Sequence, residues 1–380
     1  MSAGRLHGVR IVVANNFPGP GMGGGEVQLL PVLAAWVDAG ADVVILAPAG
    51  VELAERARAA GAEVAPADFG LSRAAGAVRA IREAAEAVPA DSCVVVGTGY
   101  LTNLLARRAA RKLDGARCIN IVGVMPGASA VDGGSALGVM LRAAADRATI
   151  ADADAVVAVS SAVRDALVSG GVPQAVVRLI PNGIDMQALR ERAAEPARFG
   201  ALPRPLVACV ARLEPVKGVD VLVRAAGLLS DATVGIVGSG SQEARLREIA
   251  VASGVADRVH FLGDGGAASL LAQADVVAVP SRTEGFGLVA AEASALGRPV
   301  VASRVGGLLD VVEDGVTGVL VEPEDPQALA RAVSALLADP DRAAAVGEAG
   351  RERAESLFTS ERMAAAYVDL VAEFTGGGAR

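Results

Sequence analysis

Glu284 and Glu292 bracket a short glycine turn in the stretch Pro280-Ser281-Arg282-Thr283-Glu284-Gly285-Phe286-Gly287-Leu288. The apolar run Val276 to Val279 before it predicts a buried strand, and Leu288 to Leu296 after it predicts a helix. A strand, a glycine turn and a helix N-terminus form an anion site, because unpaired backbone N–H groups and the positive end of the helix dipole point into the turn. A carboxylate beside bound phosphate is repelled by it. Two carboxylates there suit a different task, accepting hydrogen bonds from hydroxyls carried on either side of the phosphate, a sugar on one side and a ribose on the other. On an arbitrary strand-turn-helix such acids are more often a helix cap and a solvated face. The rest of the chain changes that reading.

A second loop supplies the positive charge. The predicted strand Leu206 to Val210 leads into Ala211-Arg212-Leu213-Glu214-Pro215-Val216-Lys217-Gly218, so Arg212 and Lys217 share one short loop. A diphosphate needs this combination, an arginine fork for bidentate contact and a lysine as a point charge. Gly238 follows the predicted strand Thr233 to Val237, and His260 lies in the predicted strand Arg258 to Leu262. Near the start, the strand Val9 to Ala14 runs into a loop holding Gly19, Gly21, Gly23, Gly24 and Gly25, then a helix from about Glu26 to Asp38. This is again a turn that backbone can bring close to phosphate. It is not a G-x-G-x-x-G pattern and has no ribose-binding acid at the usual place, so it is a weak nicotinamide fingerprint. Pro31 inside the helix is expected to kink or shorten its first turns.

Strands and helices alternate throughout. Further strands are predicted at Ala41–Ala47, Ala62–Pro66, Ser92–Gly97, Cys118–Val124, Ala155–Ser160, Val176–Ile180, Pro299–Ala302 and Gly318–Val321. Helices are predicted near 51–60, 71–87, 101–113, 135–149, 161–169, 325–338, 341–355 and 360–374, with another running up to Leu229. Continuous Val/Ile runs joined by crossover helices imply parallel α/β sheets, whose ligands collect at the strands' C-terminal ends. In the first half those ends are Gly97 to Tyr100 and Gly123 to Ser135, expected to form the acceptor side. Residues 186–204 are polar and proline-marked, the best boundary between domains. The helix 101–113 carries Arg107, Arg108, Arg111 and Lys112. A solvated face is the preferred reading, with weak peripheral membrane contact as the other.

Composition bounds the class. The 380 residues are 52% hydrophobic and 3% aromatic with 45 glycines, enough for two domains with full cores. The net charge of −8 lies in residues 181–380, the first 180 being neutral, which excludes a general nucleic-acid binder. Cys93, Cys118 and Cys209 are scattered in apolar surroundings and read as reduced core thiols of a cytoplasmic protein. No signal peptide or membrane span is expected. His7 and His260 are the chain's histidines, so no metal centre and no histidine base is expected. Heavy use of Ala, Arg, Gly and Val fits a high-GC bacterial source.

Taken together, Gly23-Gly24-Gly25-Glu26, the hinge Pro181-Asn182-Gly183-Ile184-Asp185, Arg212 with Lys217, and Glu284 with Glu292 resemble the family-four, glycogen-synthase-like (group 1) glycosyltransferases. The resemblance covers essentially the whole chain and is strongest from Val176 to Pro323. It implies a GT-B fold: two doubly wound Rossmann-like domains with a cleft between them and a C-terminal helix crossing back. The expected domains are 1–185 for the acceptor, 186–358 for the nucleotide-sugar, and 359–380 for the returning helix. It also implies a retaining, metal-independent hexosyltransferase of carbohydrate biosynthesis, using a nucleoside-diphosphate sugar and no other cofactor. Its acceptor would be a hydroxyl on a small molecule, glycan or lipid. By the same resemblance Arg212 and Lys217 grip the diphosphate and Glu284 holds sugar hydroxyls. The amides of Gly285, Phe286, Gly287 and Leu288 orient sugar and phosphate, and Glu292 takes the ribose. Gly23 and Gly24 approach the diphosphate, and the strand ends near Gly238 and His260 meet the base. Attack would be front-face, with a donor phosphate oxygen helping to deprotonate the acceptor.

The pattern departs from the family in two places. Many relatives carry a histidine in the N-terminal domain beside the donor sugar; neither Val95–Tyr100 nor Asn120–Met125 supplies one, leaving Thr98, Asn103 or Asn120 as candidate replacements. Asp310 stands where relatives often show Glu. Two other readings share the scaffold. A nucleotide-sugar epimerase needs further acid/base groups, and a phosphorylase usually needs a cofactor-binding lysine, whereas this chain has Lys112 and Lys217 alone. A non-catalytic nucleotide-sugar-binding partner would not need the paired acids.

Overall fold

In a computed structural model of the protein, the described residues are 4–16, 22–70, 73–125, 144, 146 and 148–376. Gly19, Gly21, most of the loop 123–135 and most of the expected helix 135–149 lie outside them. The chain divides into two compact units, Met1–Gly183 with Ser360–Arg380, and Ile184–Thr359.

The first unit holds β1 (Val9–Ala14), β2 (Asp42–Ala47), β3 (Glu63–Pro66), β4 (Ser92–Gly97), β5 (Arg117–Val122), β6 (Ala155–Ala158) and β7 (Val177–Leu179). Among the described residues they form one parallel sheet in the order β3-β2-β1-β4-β5-β6-β7. The order reverses direction between β1 and β4, where a doubly wound sheet leaves a crevice for ligand. Ile11, Val13, Val94, Val96 and Ile119 fill the core from this sheet, as the unbroken apolar runs require.

The helix Gly24–Asp38 contains Pro31 and is neither stopped nor shortened by it. It begins two residues before the expected start, so the expectation of a truncated first turn is corrected. Its buried residues Leu29, Leu33 and Trp36 anchor it to the core on both sides of the proline, and that packing offsets the one backbone bond the proline cannot donate. The last helix, Ser360–Thr375, belongs to this unit. Tyr367 stands edge-on to Trp36, with ring centres 6.1 Å apart and planes at 89°, and the Trp36 indole N–H donates to the Tyr367 carbonyl at 3.3 Å.

In the helix Tyr100–Ala110 and the residues just after it, Arg108, Arg111 and Lys112 are exposed, but Arg107 is turned inward. Arg107 is 1% exposed and donates to Asn120 Oδ1 and to the Asp146 carboxylate. Arg111 pairs with Asp152. A buried guanidinium needs such partners, so Arg107 is a structural residue and is withdrawn from any membrane-facing role. Among the described residues no helix is long and apolar enough to cross a membrane.

The second unit holds β8 (Leu206–Val210), β9 (Thr233–Val237), β10 (Val259–Phe261), β11 (Val276–Val279), β12 (Val300–Ser303) and β13 (Val319–Val321). Among the described residues these too form a parallel sheet, ordered β10-β9-β8-β11-β12-β13. Here the order reverses between β8 and β11. Both loops singled out for their chemistry, 211–218 and 280–287, leave these two strands.

Tyr367 is 3% exposed, so truncating it removes one wall around Trp36. Tyr367→Ala is expected to lower the unfolding free energy by about 3–5 kcal/mol, read from the midpoint of a urea titration.

Candidate active site

The switch point of the second sheet is built by two loops that interlock. The loop after β8 closes with a single 3-10 turn, Pro215–Lys217, and Gly218 follows at φ 61°. A side chain on Gly218 would place its Cβ 2.0 Å from the Pro280 carbonyl oxygen, so glycine is required both for its backbone angle and for the approach of the neighbouring loop. The Arg282 N–H then donates to the Val216 carbonyl at 2.9 Å.

This closeness brings cation and acid together. Lys217 Nζ donates to both oxygens of Glu284, at 2.8 and 3.0 Å, and the Ser281 hydroxyl donates to Glu284 Oε2 at 2.9 Å. The lysine and glutamate side chains are 22% and 15% exposed, so the pair is partly desolvated and poorly screened. Arg212 lies on the same loop, with its side chain exposed and in no ion pair among the described residues. Glu214 anchors the loop by accepting from the Ser241 N–H at 2.9 Å and the Ser241 hydroxyl at 2.7 Å. These bonds hold its carboxyl below the usual range.

Gly287 caps the helix Leu288–Ala295 at φ 103°. The first-turn amides of that helix have no partner within it. Phe286 presents only its backbone here, since its ring is 2% exposed and packs edge-on against Phe358 at 5.4 Å. Gly285 is half-buried between Glu284 and this anchor. Glu292 is half-buried in the following turn. Burial pushes its carboxyl above the ordinary value, partly offset by the charge of Arg192.

Gly238 and His260 border the same edge differently. Gly238 sits at φ 134°, and a Cβ there would lie 1.9 Å from the Ala211 carbonyl oxygen, so it lets the β9 turn pass against the Arg212 loop. His260 pairs with Gly235 in the middle of β10 and is half-buried. The geometry therefore brings together Lys217, Glu284 and the 285–288 turn, with Arg212 exposed on the Lys217 loop and Gly238 as packing.

In the first unit Gly23 caps the helix Gly24–Asp38 in extended conformation and no side chain caps it. At that unit's switch point, Asn15 after β1 donates to Glu26 Oε1 at 3.2 Å and to Thr98 Oγ1 at 3.0 Å, and the Thr98 hydroxyl donates to the Ala14 carbonyl at 3.1 Å. Asn15 and Glu26 are buried. Of the three candidate replacements for the family's histidine, Asn103 donates to the Ile121 carbonyl and Asn120 is taken up by Arg107, both inside the core. Thr98 alone stands at the strand ends. Spacing gave no role to Asn15, Ser281 or Arg282. The available signal was position, each lying within three residues of the end of a buried strand.

A carboxyl whose folded pKa lies above its unfolded value favours the protonated form on folding. Its contribution is neutral at low pH and becomes a penalty as pH rises past the unfolded value. Glu292→Gln is therefore expected to melt higher than the parent at pH 7, with the gap closing as pH falls below the ordinary carboxyl value of 4.5. Thermal melts from pH 4 to 8 check this.

Comparison with known proteins agrees with this fold. Residues 22–188 match the family model "Glycosyltransferase Family 4" and residues 191–353 match "Glycosyl transferases group 1". A GDP-mannose-dependent alpha-(1-6)-phosphatidylinositol monomannoside mannosyltransferase of Mycolicibacterium smegmatis is 42% identical over 218 residues, 53% of this chain and 57% of that protein. A D-inositol 3-phosphate glycosyltransferase of Salinispora tropica is 39% identical over 223 residues, 52% of this chain and 46% of the relative. The chain thus spans about half the length of the curated relatives it matches. Sucrose-phosphate synthase from Thermosynechococcus elongatus superposes with a TM-score of 0.80 at 25% identity, over 97% of this chain and 100% of that one. Anabaena HepE in complex with UDP-glucose superposes at 0.78 and 21% identity, over 96% and 99%, a likeness of fold. With the two family models running in tandem along two doubly wound units, the chain belongs to the group 1, family-four glycosyltransferases of GT-B fold.

Proposed function

We propose that the protein transfers a sugar, with retention and without a metal, from a nucleoside-diphosphate sugar to a hydroxyl acceptor. The observation that carries this is the Lys217–Glu284 pair at the switch point of the second sheet. Opposite unit charges at about 4 Å attract by roughly 4 kcal/mol at an effective dielectric constant near 20. A diphosphate brings at least two negative charges, so it competes for Lys217 against one carboxylate. Its arrival frees Glu284 to accept sugar hydroxyls while Ser281 keeps that carboxylate in place. Arg212 and the first-turn amides of Leu288–Ala295 add charge stabilisation as the leaving group forms.

In the chemical step the acceptor oxygen bonds to the anomeric carbon and the bond from that carbon to the diphosphate breaks. The acceptor proton passes to a phosphate oxygen of the leaving group. Attack from the leaving-group face preserves configuration. Glu292 accepts from the ribose hydroxyls. Names of relatives set the first substrates to try: GDP-mannose and UDP-sugars as donors, and inositol phosphates and inositol-bearing lipids as acceptors. We place the protein in the cytoplasm, where its unpaired cysteines would stay reduced; burial pushes the Cys118 and Cys209 thiols up to about 12.

The test is a thermal-shift and turnover series. GDP or UDP is expected to raise the melting temperature of the parent by mass action, and Lys217→Ala to abolish the rise. Glu284→Gln should bind the diphosphate at least as well as the parent, because a competing carboxylate is gone. It should nonetheless lose about 10²-fold in turnover through a misplaced sugar. EDTA should leave turnover unchanged. A parent that no nucleoside diphosphate stabilises would sink the proposal.

A further inference from the structure

We propose that Arg282 is a positioning residue that sets the separation of the diphosphate-binding lysine and the sugar-binding acid. This deepens the reading of the site given above and rests on it. All five guanidinium N–H groups of Arg282 are engaged. Nη1 and Nη2 form a fork to the two oxygens of Asp220, each at 2.9 Å. Nε and Nη2 form a second fork to Glu324, the latter at 3.0 Å, and Nη1 also donates to the Pro215 carbonyl. These partners come from three places: the 3-10 turn that carries Lys217, the helix Val219–Ala226 just after it, and the segment following β13. The Arg282 main chain, two residues before Glu284, adds the bond to Val216.

The consequence is geometric. One planar cation clips the turn Pro215–Lys217 and its following helix to the loop of Glu284, so that Lys217 and Glu284 are held from both ends. Arg282 has no donor left for a phosphate, and so acts through Lys217. Glu324 supports the assignment, since among the described residues it is the one non-glycine with positive φ, at 63°. A backbone angle of that kind persists where surrounding contacts impose it, and here the Arg282 fork supplies such a contact.

Two substitutions separate this role from a general electrostatic one. Arg282→Lys keeps the charge and loses both forks. Asp220→Asn removes a negative charge near the site and weakens the clip. If Arg282 and Asp220 acted by charge alone, the first would be silent and the second would tighten diphosphate binding. The clip predicts that both weaken it, by roughly ten- to a hundredfold, the loss associated with one hydrogen bond to a charged group. Binding of GDP and UDP to the full chain is measured by calorimetry, with circular dichroism confirming that each variant is folded. Arg282→Lys in a Lys217→Ala background should add little to the loss from Lys217→Ala, because the two residues act in series. The inference is overturned if Arg282→Lys binds like the parent, if Asp220→Asn binds more tightly, or if the losses simply add. If Lys217→Ala itself leaves binding unchanged, the diphosphate reading of the site falls, and this inference falls with it.

Discussion

The second unit depends on how closely the loop after β8 can approach the loop after β11. Parallel strands leave their C-terminal ends open where the order reverses, and whatever lines that opening meets the ligand. Here Gly218 yields the space a side chain would fill, and the Pro280 carbonyl takes it. The rest follows from that contact. The Arg282 amide reaches Val216, and Lys217 reaches Glu284. A partly desolvated cation is costly to leave unpaired. The Lys217–Glu284 pair therefore leaves neither charge without a partner.

The two units use the same topology for different chemistry. At the switch point of the second sheet a lysine–carboxylate pair stands beside a helix N-terminus. At that of the first, Asn15, Thr98 and Glu26 form a mixed network around a single carboxylate, with Glu26 in the first turn of a helix capped by glycine. Hydroxyls suit such a network because it can both donate and accept. A group that only accepts, such as a phosphate, suits the charged arrangement of the second sheet instead.

Much of this was legible in the residues, and what was not has physical causes. Strands such as Ser92–Gly97 and Val276–Val279 were readable to the residue because a strand buried on both faces leaves an unbroken apolar run. Lys217 and Glu284 could be picked out as charged side chains just after strand ends, though not that they pair with each other. Arg107 was misleading because the pattern of a helix surface does not reveal an acid arriving from elsewhere; Asp146, distant in sequence, is its ion-pair partner. Pro31 misled because a local rule was set against tertiary anchoring by Trp36 and Leu33. Arg282 was silent for a related reason. Its meaning lies in Asp220 and Glu324, which sit far from it along the chain and beside it in space.

The first unit is discontinuous in sequence: its final helix, Ser360–Thr375, comes after the whole of the second unit. Trp36 is made early and is sealed by Tyr367, made near the end. During synthesis the second unit, a single uninterrupted stretch from Ile184 to Thr359, has all its residues before the first has its last wall. Domains generally mature as units in the order they are completed. The order of completion here is the reverse of the order in which the units begin. Until that final helix has been made, the Trp36 side of the first unit lacks the wall that Tyr367 supplies, so the half that was started first is the half that stays open longer.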